Sequence, residues 1–328
     1  MIEVSNLTKK YGEHTAVDNL SFQVEKGQIY GFLGPNGAGK STTMNIITGY
    51  LAATSGTVRV NGRDIQKEPE EAKKCIGYLP EVPPLYVDMT VREYLRFVAE
   101  LKKVPAGERA EQIADVMEMT QVYEMRDRLI KNLSKGYRQR VGLAQAILGY
   151  PEVIILDEPT VGLDPKQIIE IRDLIQELRE NHTIILSSHI LSEVSAVCDH
   201  IMIISQGRLV ASDSPEGLAR LMSGEAQLQM TVKGEYSEIQ AALRELADLK
   251  GIEECGEKDG CSRIVVTAQD KKDIREAVFY ALAAKRLPIM SMQYVEKSLE
   301  DIFLELTEEQ PQETQENAEE VQQDDSHL

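Results

Sequence analysis

The sequence lacks any long apolar run, is poor in cysteine, and carries too few basic residues to balance its acidic ones. No stretch approaches the ~18 consecutive apolar residues that span a bilayer, and the first residues do not show the basic-then-apolar layout of a secretory signal peptide. We therefore expect a cytoplasmic protein that reaches a membrane only through a partner. The four cysteines (Cys75, Cys198, Cys255 and Cys261) lack metal-ligand spacing. Cys255 and Cys261 could face each other in a hairpin, but free thiols are the expectation.

The acidic excess is large and partly concentrated at the C-terminal end. The chain has 328 residues and a formal net charge of −18. Residues 308–328 contain eight acidic side chains and no lysine or arginine. Their composition predicts that residues 307–328 form a disordered acidic tail. The remaining chain is still acidic, which argues against a nucleic-acid partner because such partners require a basic face.

The strongest motif in the chain is a phosphate-binding loop. The pattern G-x-x-x-x-G-K-[ST] is matched by Gly34-Pro35-Asn36-Gly37-Ala38-Gly39-Lys40-Ser41, which Thr42 follows. An apolar, β-prone segment precedes the loop and a helix-compatible segment follows it, as the motif requires. Glycines let backbone N–H groups turn toward phosphates, and a helix N-terminus adds unpaired donors. Lys40 offers a charge to the phosphates, and Ser41 offers a hydroxyl to Mg²⁺.

Two further apolar strands end on polar side chains. The run Val153–Leu156 is typical of a central parallel strand, and Asp157 and Glu158 follow it directly. Carboxylates at this edge of a sheet are costly unless a cation or substrate is present, and this edge is where α/β sheets place ligands. The strand over residues 183–187 is followed by His189, which sits at the same edge. A lone histidine is often structural, but this placement favours a functional one.

Weaker candidates lie elsewhere in the first two thirds of the chain. A short strand ends at Glu81, and Tyr11 is either a packing aromatic or a surface on which a base stacks. Ser134 is placed to cap the helix that follows, which is also how an ordinary helix begins. A capping box at Thr90 opens a region of helices over about 82–150. Asp164 begins a further amphipathic helix.

The last third predicts a separate small domain. Strands over 227–232, 251–257, 262–267 and 289–295 and helices over 237–249 and 273–285 give the order β-α-β-β-α-β of a ferredoxin-like unit. An amphipathic helix over 299–306 follows. We therefore predict an α/β domain over 1–222 and a ferredoxin-like α+β domain over 225–306, with no catalytic constellation in the second.

Taken in order, the motifs resemble those of the ATP-binding subunit of an ABC transporter. The set is the P-loop, the strand ending at Glu81, Leu133-Ser134-Lys135-Gly136-Tyr137, Asp157-Glu158, Gly162-Leu163-Asp164 and His189. The resemblance covers residues 1–222. The segments Lys135–Arg140 and Ser298–Phe303 are similar to those of the type 2 exporter branch. This branch includes drug-efflux, sodium-export and gliding-type subunits. The implied fold is a P-loop NTPase cassette with a parallel-sheet core, an antiparallel β subdomain and a helical subdomain, plus the small C-terminal domain.

The resemblance also implies a role for each site residue. Gly34–Thr42 would be the Walker A loop, Tyr11 the adenine-stacking aromatic, and Ser134 and Gly136 the signature residues that contact phosphate. Asp157 would position Mg²⁺ with Ser41, Glu158 would be the base that activates water, Asp164 would belong to the D-loop, and His189 would sense the γ-phosphate. The chain departs from the family at Lys135 and Tyr137, where Gly and Gln are usual, and at Glu81, where Gln is usual. A carboxylate at 81 would add a charge near Mg²⁺ and the attacking water, and would bind Mg²⁺ at least as well.

The implied cofactors are ATP and Mg²⁺, and the implied partners are a membrane permease and a second ATPase subunit. That second subunit would be another copy of the chain or a paralogous ATPase. One alternative is an ABC ATPase that acts on a macromolecule without transport, but such proteins usually carry two cassettes or long coiled coils. A second alternative is a nucleotide sensor with little turnover. The presence of Glu158 and His189 argues against it.

Overall fold

The computed structural model describes residues 1–222, 227–244, 246, 248–258, 260–269 and 273–295. The predicted helix over 299–306 and the predicted acidic tail over 307–328 lie outside the described residues. The chain divides into two compact units: one contains Met1–Pro215, and the second begins at Glu216. All four cysteines are free, as expected.

An antiparallel sheet opens the first unit. It has the order β2-β1-β4-β5, with β1 Ile2–Tyr11, β2 His14–Val24, β4 Ser55–Val60 and β5 Arg63–Asp64. Inward-facing side chains of this sheet, such as Val4, Leu20 and Phe22, share one core with Met44 and Ile155 from elements described below. This core places the start of β2 beside the phosphate-binding loop.

A six-stranded sheet forms the centre of the first unit. Its order is β10-β9-β3-β8-β7-β6, with β3 Ile29–Leu33, β6 Ile76–Leu79, β7 Val153–Asp157, β8 Thr183–Ser188, β9 His200–Ser205 and β10 Arg208–Asp213. Pairing is parallel throughout except between β9 and β10. Every residue of β3, β7 and β8 is buried, which explains their continuous apolar runs. Because these strands are parallel, their carboxyl ends meet at one edge of the sheet.

Helices cover the sheet and form a separate cluster after β6. The helices are α1 Lys40–Ile47, α2 Pro69–Lys74, α3 Val91–Leu101, α4 Arg109–Met119, α5 Lys135–Ile147, α6 Pro165–Leu178 and α7 Leu191–Ser195. A further helix, α8 Pro215–Met222, spans the boundary between the two units. The predicted capping box is confirmed: the Thr90 hydroxyl accepts from the Glu93 N–H at 3.2 Å, and the Glu93 carboxylate accepts from the Thr90 N–H at 2.8 Å.

The second unit has the predicted ferredoxin-like topology. Its sheet has the order β12-β13-β11-β14, with all pairs antiparallel. The elements are β11 Gln227–Lys233, α9 Tyr236–Leu243, β12 Leu249–Lys258, β13 Cys261–Ala268, α10 Arg275–Ala284 and β14 Ile289–Val295. The two helices and one sheet face enclose a core that includes Met230, Ile239 and Ile264.

One predicted helix boundary in this unit is wrong. The 3.6-residue pattern extended the first helix over 237–249, but α9 ends at Leu243 and Leu249 begins β12. Leu249 pairs with Ala268 of β13 and packs against the core of this unit. Strand pairing has therefore overridden the helical periodicity at this end.

Candidate active site

The phosphate-binding loop lies between β3 and α1, as the motif requires. Its tight return depends on Gly39, which has φ of +103° and precedes the first residue of α1. A Cβ atom at Gly39 would lie 2.5 Å from the Ala16 carbonyl oxygen, so a side chain would be both strained and obstructed. The start of β2 therefore packs directly on the loop.

Lys40 is buried within the loop that it follows. Its ammonium donates to the Gly34 carbonyl at 2.7 Å and the Pro35 carbonyl at 3.3 Å, and lies 3.7 Å from a Glu158 carboxylate oxygen. Burial lowers the pKa of Lys40, and the charges of Glu158 and Asp157 offset part of this effect. An anion at the loop would favour the charged lysine further.

Asp157 and Glu158 stand at the carboxyl end of β7, both almost fully buried. Asp157 accepts a short hydrogen bond from the Ser187 hydroxyl of β8, and the Ser41 hydroxyl lies 3.5 Å from its carboxylate. Glu158 has φ of +49°, a left-handed conformation that costs energy for a non-glycine residue. Its N–H is fixed by the Ser187 hydroxyl at 3.1 Å. The strained turn aims the Glu158 side chain back toward the loop.

His189 faces Glu158 across the edge of the sheet. Its Nδ1 lies 3.0 Å from a Glu158 carboxylate oxygen, and the histidine side chain is partly open to solvent. Glu158 therefore lies between the ammonium of Lys40 and the imidazole of His189.

These groups surround one open cavity of about 540 Å³. Tyr11 lies at its mouth with half of its surface exposed, and the Lys9 ammonium lies 5.1 Å from the centre of its ring. Three lining residues were not identified from the sequence: His14, Ala16 and Val161. The cavity is lined by Tyr11, His14, Ala16, Asn36, Gly37, Gly39, Lys40, Ser41, Thr42, Glu81, Glu158, Val161 and His189. Gly34, Pro35 and Ala38 complete the loop behind it.

Three predicted site residues lie away from this cavity. Ser134 caps α5, with its hydroxyl 3.4 Å from the Tyr137 N–H, and Asp164 caps α6, accepting from the Gln167 N–H at 3.0 Å. A Cβ at Gly136 would lie 2.5 Å from the Gln167 side chain, so the start of α5 packs closely against the start of α6. Within one chain, the structure does not bring Ser134, Gly136 or Asp164 to the phosphate-binding loop.

The donor set at the loop suits a hard cation bound mainly by phosphate. Ser41, Asp157 and Glu81 offer only oxygen atoms, which Mg²⁺ prefers. Within the described ranges, no group of three or more His, Cys, Asp or Glu side chains is placed to hold a metal by itself. This agrees with a site in which one or two protein oxygens share the ion with a nucleotide.

The fold and the cavity define a nucleotide-binding P-loop ATPase, and comparisons with known proteins identify its family. Residues 17–161 match the ABC transporter family, and residues 226–307 match the C-terminal domain of DrrA1-3-like ATP-binding proteins. The chain is 34% identical over 308 residues to the linearmycin resistance ATP-binding protein LnrL of Bacillus subtilis, covering 94% of this chain and 98% of that protein. It is 42% identical over 212 residues to the bacitracin transport ATP-binding protein BcrA of Bacillus licheniformis, covering 64% and 68% of the two chains.

Solved structures agree. A structure of the ATP-binding subunit of an ABC transporter matches with a TM-score of 0.62 and 30% identity, covering 67% of this chain and 92% of that one. An ATP-binding cassette solved as a dimer with ADP and Pi matches with a TM-score of 0.60 and 25% identity, covering 65% and 98%. The chain belongs to the ATP-binding subunits of ABC transporters, in the exporter group that carries a DrrA-like C-terminal domain. It is therefore an ATP-binding and ATP-hydrolysing subunit that powers export, and the predicted fold class is confirmed. Across the described part of the chain, no helix has the length and apolarity needed to cross a membrane.

Proposed function

We propose that this chain hydrolyses Mg²⁺–ATP in the cavity beside Lys40 and thereby drives export through a separate membrane permease. The observation that carries the site assignment is the convergence of Lys40, Ser41, Asp157, Glu158 and His189 at one edge of the sheet. These residues come from distant parts of the sequence and lie at or just after the carboxyl ends of β3, β7 and β8, which are neighbouring parallel strands.

Each side chain has a distinct part in phosphoryl transfer. The loop amides and Lys40 bind the β- and γ-phosphates, and Tyr11 offers the adenine a flat surface. Ser41 and Asp157 would hold Mg²⁺ with Glu81 nearby, and the ion would neutralise phosphate charge when bound. Glu158 is fixed by its strained turn and accepts a proton from the attacking water. His189 contacts the γ-phosphate.

The second half of the site comes from another subunit in this proposal. The groups that would complete the site lie on a face away from the cavity of their own chain, at Ser134, Gly136 and Asp164. An ATP molecule in the open cavity needs a second wall to exclude water. Two chains arranged head to tail would supply it twice, giving two sites across one two-fold axis. The cassette solved as a dimer with ADP and Pi supports dimerisation. The partner would be a second copy or a paralogous ATPase.

The permease contact would lie directly after Glu81. Val82 is 80% exposed and Tyr86 is 54% exposed, an unusual concentration of apolar surface for a loop. Tyr86 also packs edge-on against Phe97 of α3, with ring centroids 5.3 Å apart. Because Glu81 lines the cavity, this segment connects the nucleotide to the helical region. The chain would thus sit on the cytoplasmic face of the membrane, held there by the permease.

The exported substrate would be an antibiotic. This proposal rests on the similarity to the ATP-binding proteins of linearmycin resistance and of bacitracin transport. A role on a macromolecular partner without transport is disfavoured, because the matches extend through the exporter-type C-terminal domain.

Co-purification from detergent-solubilised membranes tests the permease contact. Tagged wild-type chain should bring down a polytopic membrane protein in a stable ratio, and Tyr86→Asp should lose it while ATPase activity remains. Leu101→Asp is the matched control, because Leu101 is 65% exposed at the far end of α3. Equal loss in both variants, or retention in both, would refute this contact surface.

A further inference from the structure

A buried carboxylate behind the active site is not used by the mechanism above. Glu193, on α7, is 8% exposed. It has no arginine, lysine or histidine within ion-pair distance in the part of the chain that the structure describes. A buried carboxylate without a cation is costly unless its oxygens receive hydrogen bonds.

Two hydroxyl groups supply those hydrogen bonds. The Thr160 hydroxyl donates to the Glu193 Oε2 atom at 2.5 Å, and the Ser188 hydroxyl lies 3.4 Å from the same atom. Thr160 is 6% exposed and Ser188 is 1% exposed. The contact with Thr160 is therefore the closer of the two hydrogen bonds.

The two hydroxyls belong to the two segments that carry the proposed base and its histidine. Thr160 follows Glu158 in the turn after β7, and Ser188 immediately precedes His189. In front of the sheet edge, His189 meets Glu158 at 3.0 Å. Glu193 therefore completes a closed ring of contacts and chain connections. The ring runs from Glu158 along the chain to Thr160, by hydrogen bonds through Glu193 to Ser188, along the chain to His189 and back to Glu158.

We propose that Glu193 is a positioning residue for ATP hydrolysis, which holds the turn after Glu158 at a fixed distance from the segment bearing His189. The proposal rests on the roles assigned to Glu158 and His189. Among the described residues, Glu193 does not line the cavity, and its hydrogen bonds run to Thr160 and Ser188. It therefore sets the geometry of the hydrolytic groups without contributing to nucleotide binding.

The test uses Thr160, where one hydroxyl can be removed or kept. Thr160→Val replaces the hydroxyl with a methyl group of similar size, and Thr160→Ser retains the hydroxyl. We expect Thr160→Val to lower kcat by about 10-fold to 100-fold, the scale of a small misplacement of reacting groups. The Kd for ATP should change by less than about threefold, because the binding loop is untouched. Thr160→Ser should stay within about threefold of wild type in both constants.

Glu193→Gln and Glu193→Ala give an independent comparison. Gln keeps an acceptor oxygen for Thr160 and should retain more activity than Ala. Combining Thr160→Val with Glu158→Gln should add little to the loss caused by Glu158→Gln alone, because both act on the same step. If Glu158→Gln lowers kcat but Thr160→Val does not, the positioning role of Glu193 is wrong. A parallel loss of kcat and ATP affinity in Thr160→Val would also overturn it. If Glu158→Gln itself leaves kcat unchanged, the assignment of the base fails instead.

Discussion

The ion pair between Arg140 and Glu170 gives a stability prediction with a built-in control. Arg140 lies on α5 and Glu170 on α6, so their contact ties the helix that begins after Ser134 to the helix that begins after Asp164. The Arg140 side chain is 6% exposed, and its guanidinium also donates to the Thr120 carbonyl at 3.3 Å and the Gln121 side chain at 3.2 Å. Glu170 contacts a second cation, Lys166, at 3.8 Å, but the Lys166 side chain is 87% exposed.

Removing the two cations should have very different effects. Breaking a buried pair by removing one partner typically costs about 3–5 kcal/mol. The Glu170 side chain is 33% exposed and can regain water, so the cost should lie around the lower end of that range or somewhat below it. We expect Arg140→Met to destabilise the protein by about 2–4 kcal/mol, including the lost bonds to Thr120 and Gln121. Lys166→Met removes an exposed pair and should cost about 0.5 kcal/mol or less.

Thermal unfolding of the purified full chain measures this difference. For a unit of this size, each 1 kcal/mol corresponds to about 2–4 °C in Tm, so Arg140→Met should lower Tm by roughly 4–16 °C and Lys166→Met by about 2 °C at most. Equal shifts in the two variants, or no shift in Arg140→Met, would refute the reasoning that burial of the guanidinium determines the strength of this contact.

Three further predictions concern the nucleotide site directly. Lys40→Ala should abolish tight ATP binding, because Lys40 is the only lysine or arginine among the residues that line the cavity. Normal affinity in a fluorescent-nucleotide titration would contradict the assignment of the phosphate-binding loop. Glu158→Gln should bind ATP, accumulate as an ATP-bound dimer and turn over at least ~10²-fold more slowly; a near-normal phosphate-release rate would mean that another group activates the water. Glu81→Gln restores the residue that is usual in the family and should leave hydrolysis within roughly tenfold of wild type, so a complete loss of activity would make the carboxylate essential in its own right.

The sequence was most informative where local pattern and chemistry coincide. The loop over Gly34–Ser41, the buried run before Asp157 and the capping box at Thr90 each combine a motif with the periodicity of its element, and each lies where predicted. Such buried runs indicate parallel strands, whose carboxyl ends meet at one edge of the sheet, so the meeting of Asp157, Glu158 and His189 could also be anticipated.

Contacts that depend on long-range strand pairing or packing could not be predicted from the sequence in the same way. The Ser187 hydroxyl on Asp157 follows from the pairing of β7 with β8, which places these two residues opposite one another. The Thr160–Glu193 contact joins residues that share no sequence motif, so only the folded structure shows it. The end of α9 was missed for a similar reason, because the pairing of Leu249 with Ala268 is a long-range interaction.

Mixing two inactive variants tests the central claim that each ATP site is shared between two chains. Lys40→Ala disables the phosphate-binding loop, and Ser134→Arg blocks the start of α5, so neither homodimer contains an intact site. A mixed dimer joins the intact loop of one chain to the intact Ser134 of the other. The shared-site account predicts ATPase activity on mixing that exceeds either variant alone. No recovery, with mixed dimers demonstrated by dual-tag purification, would contradict it and place each complete site within a single chain.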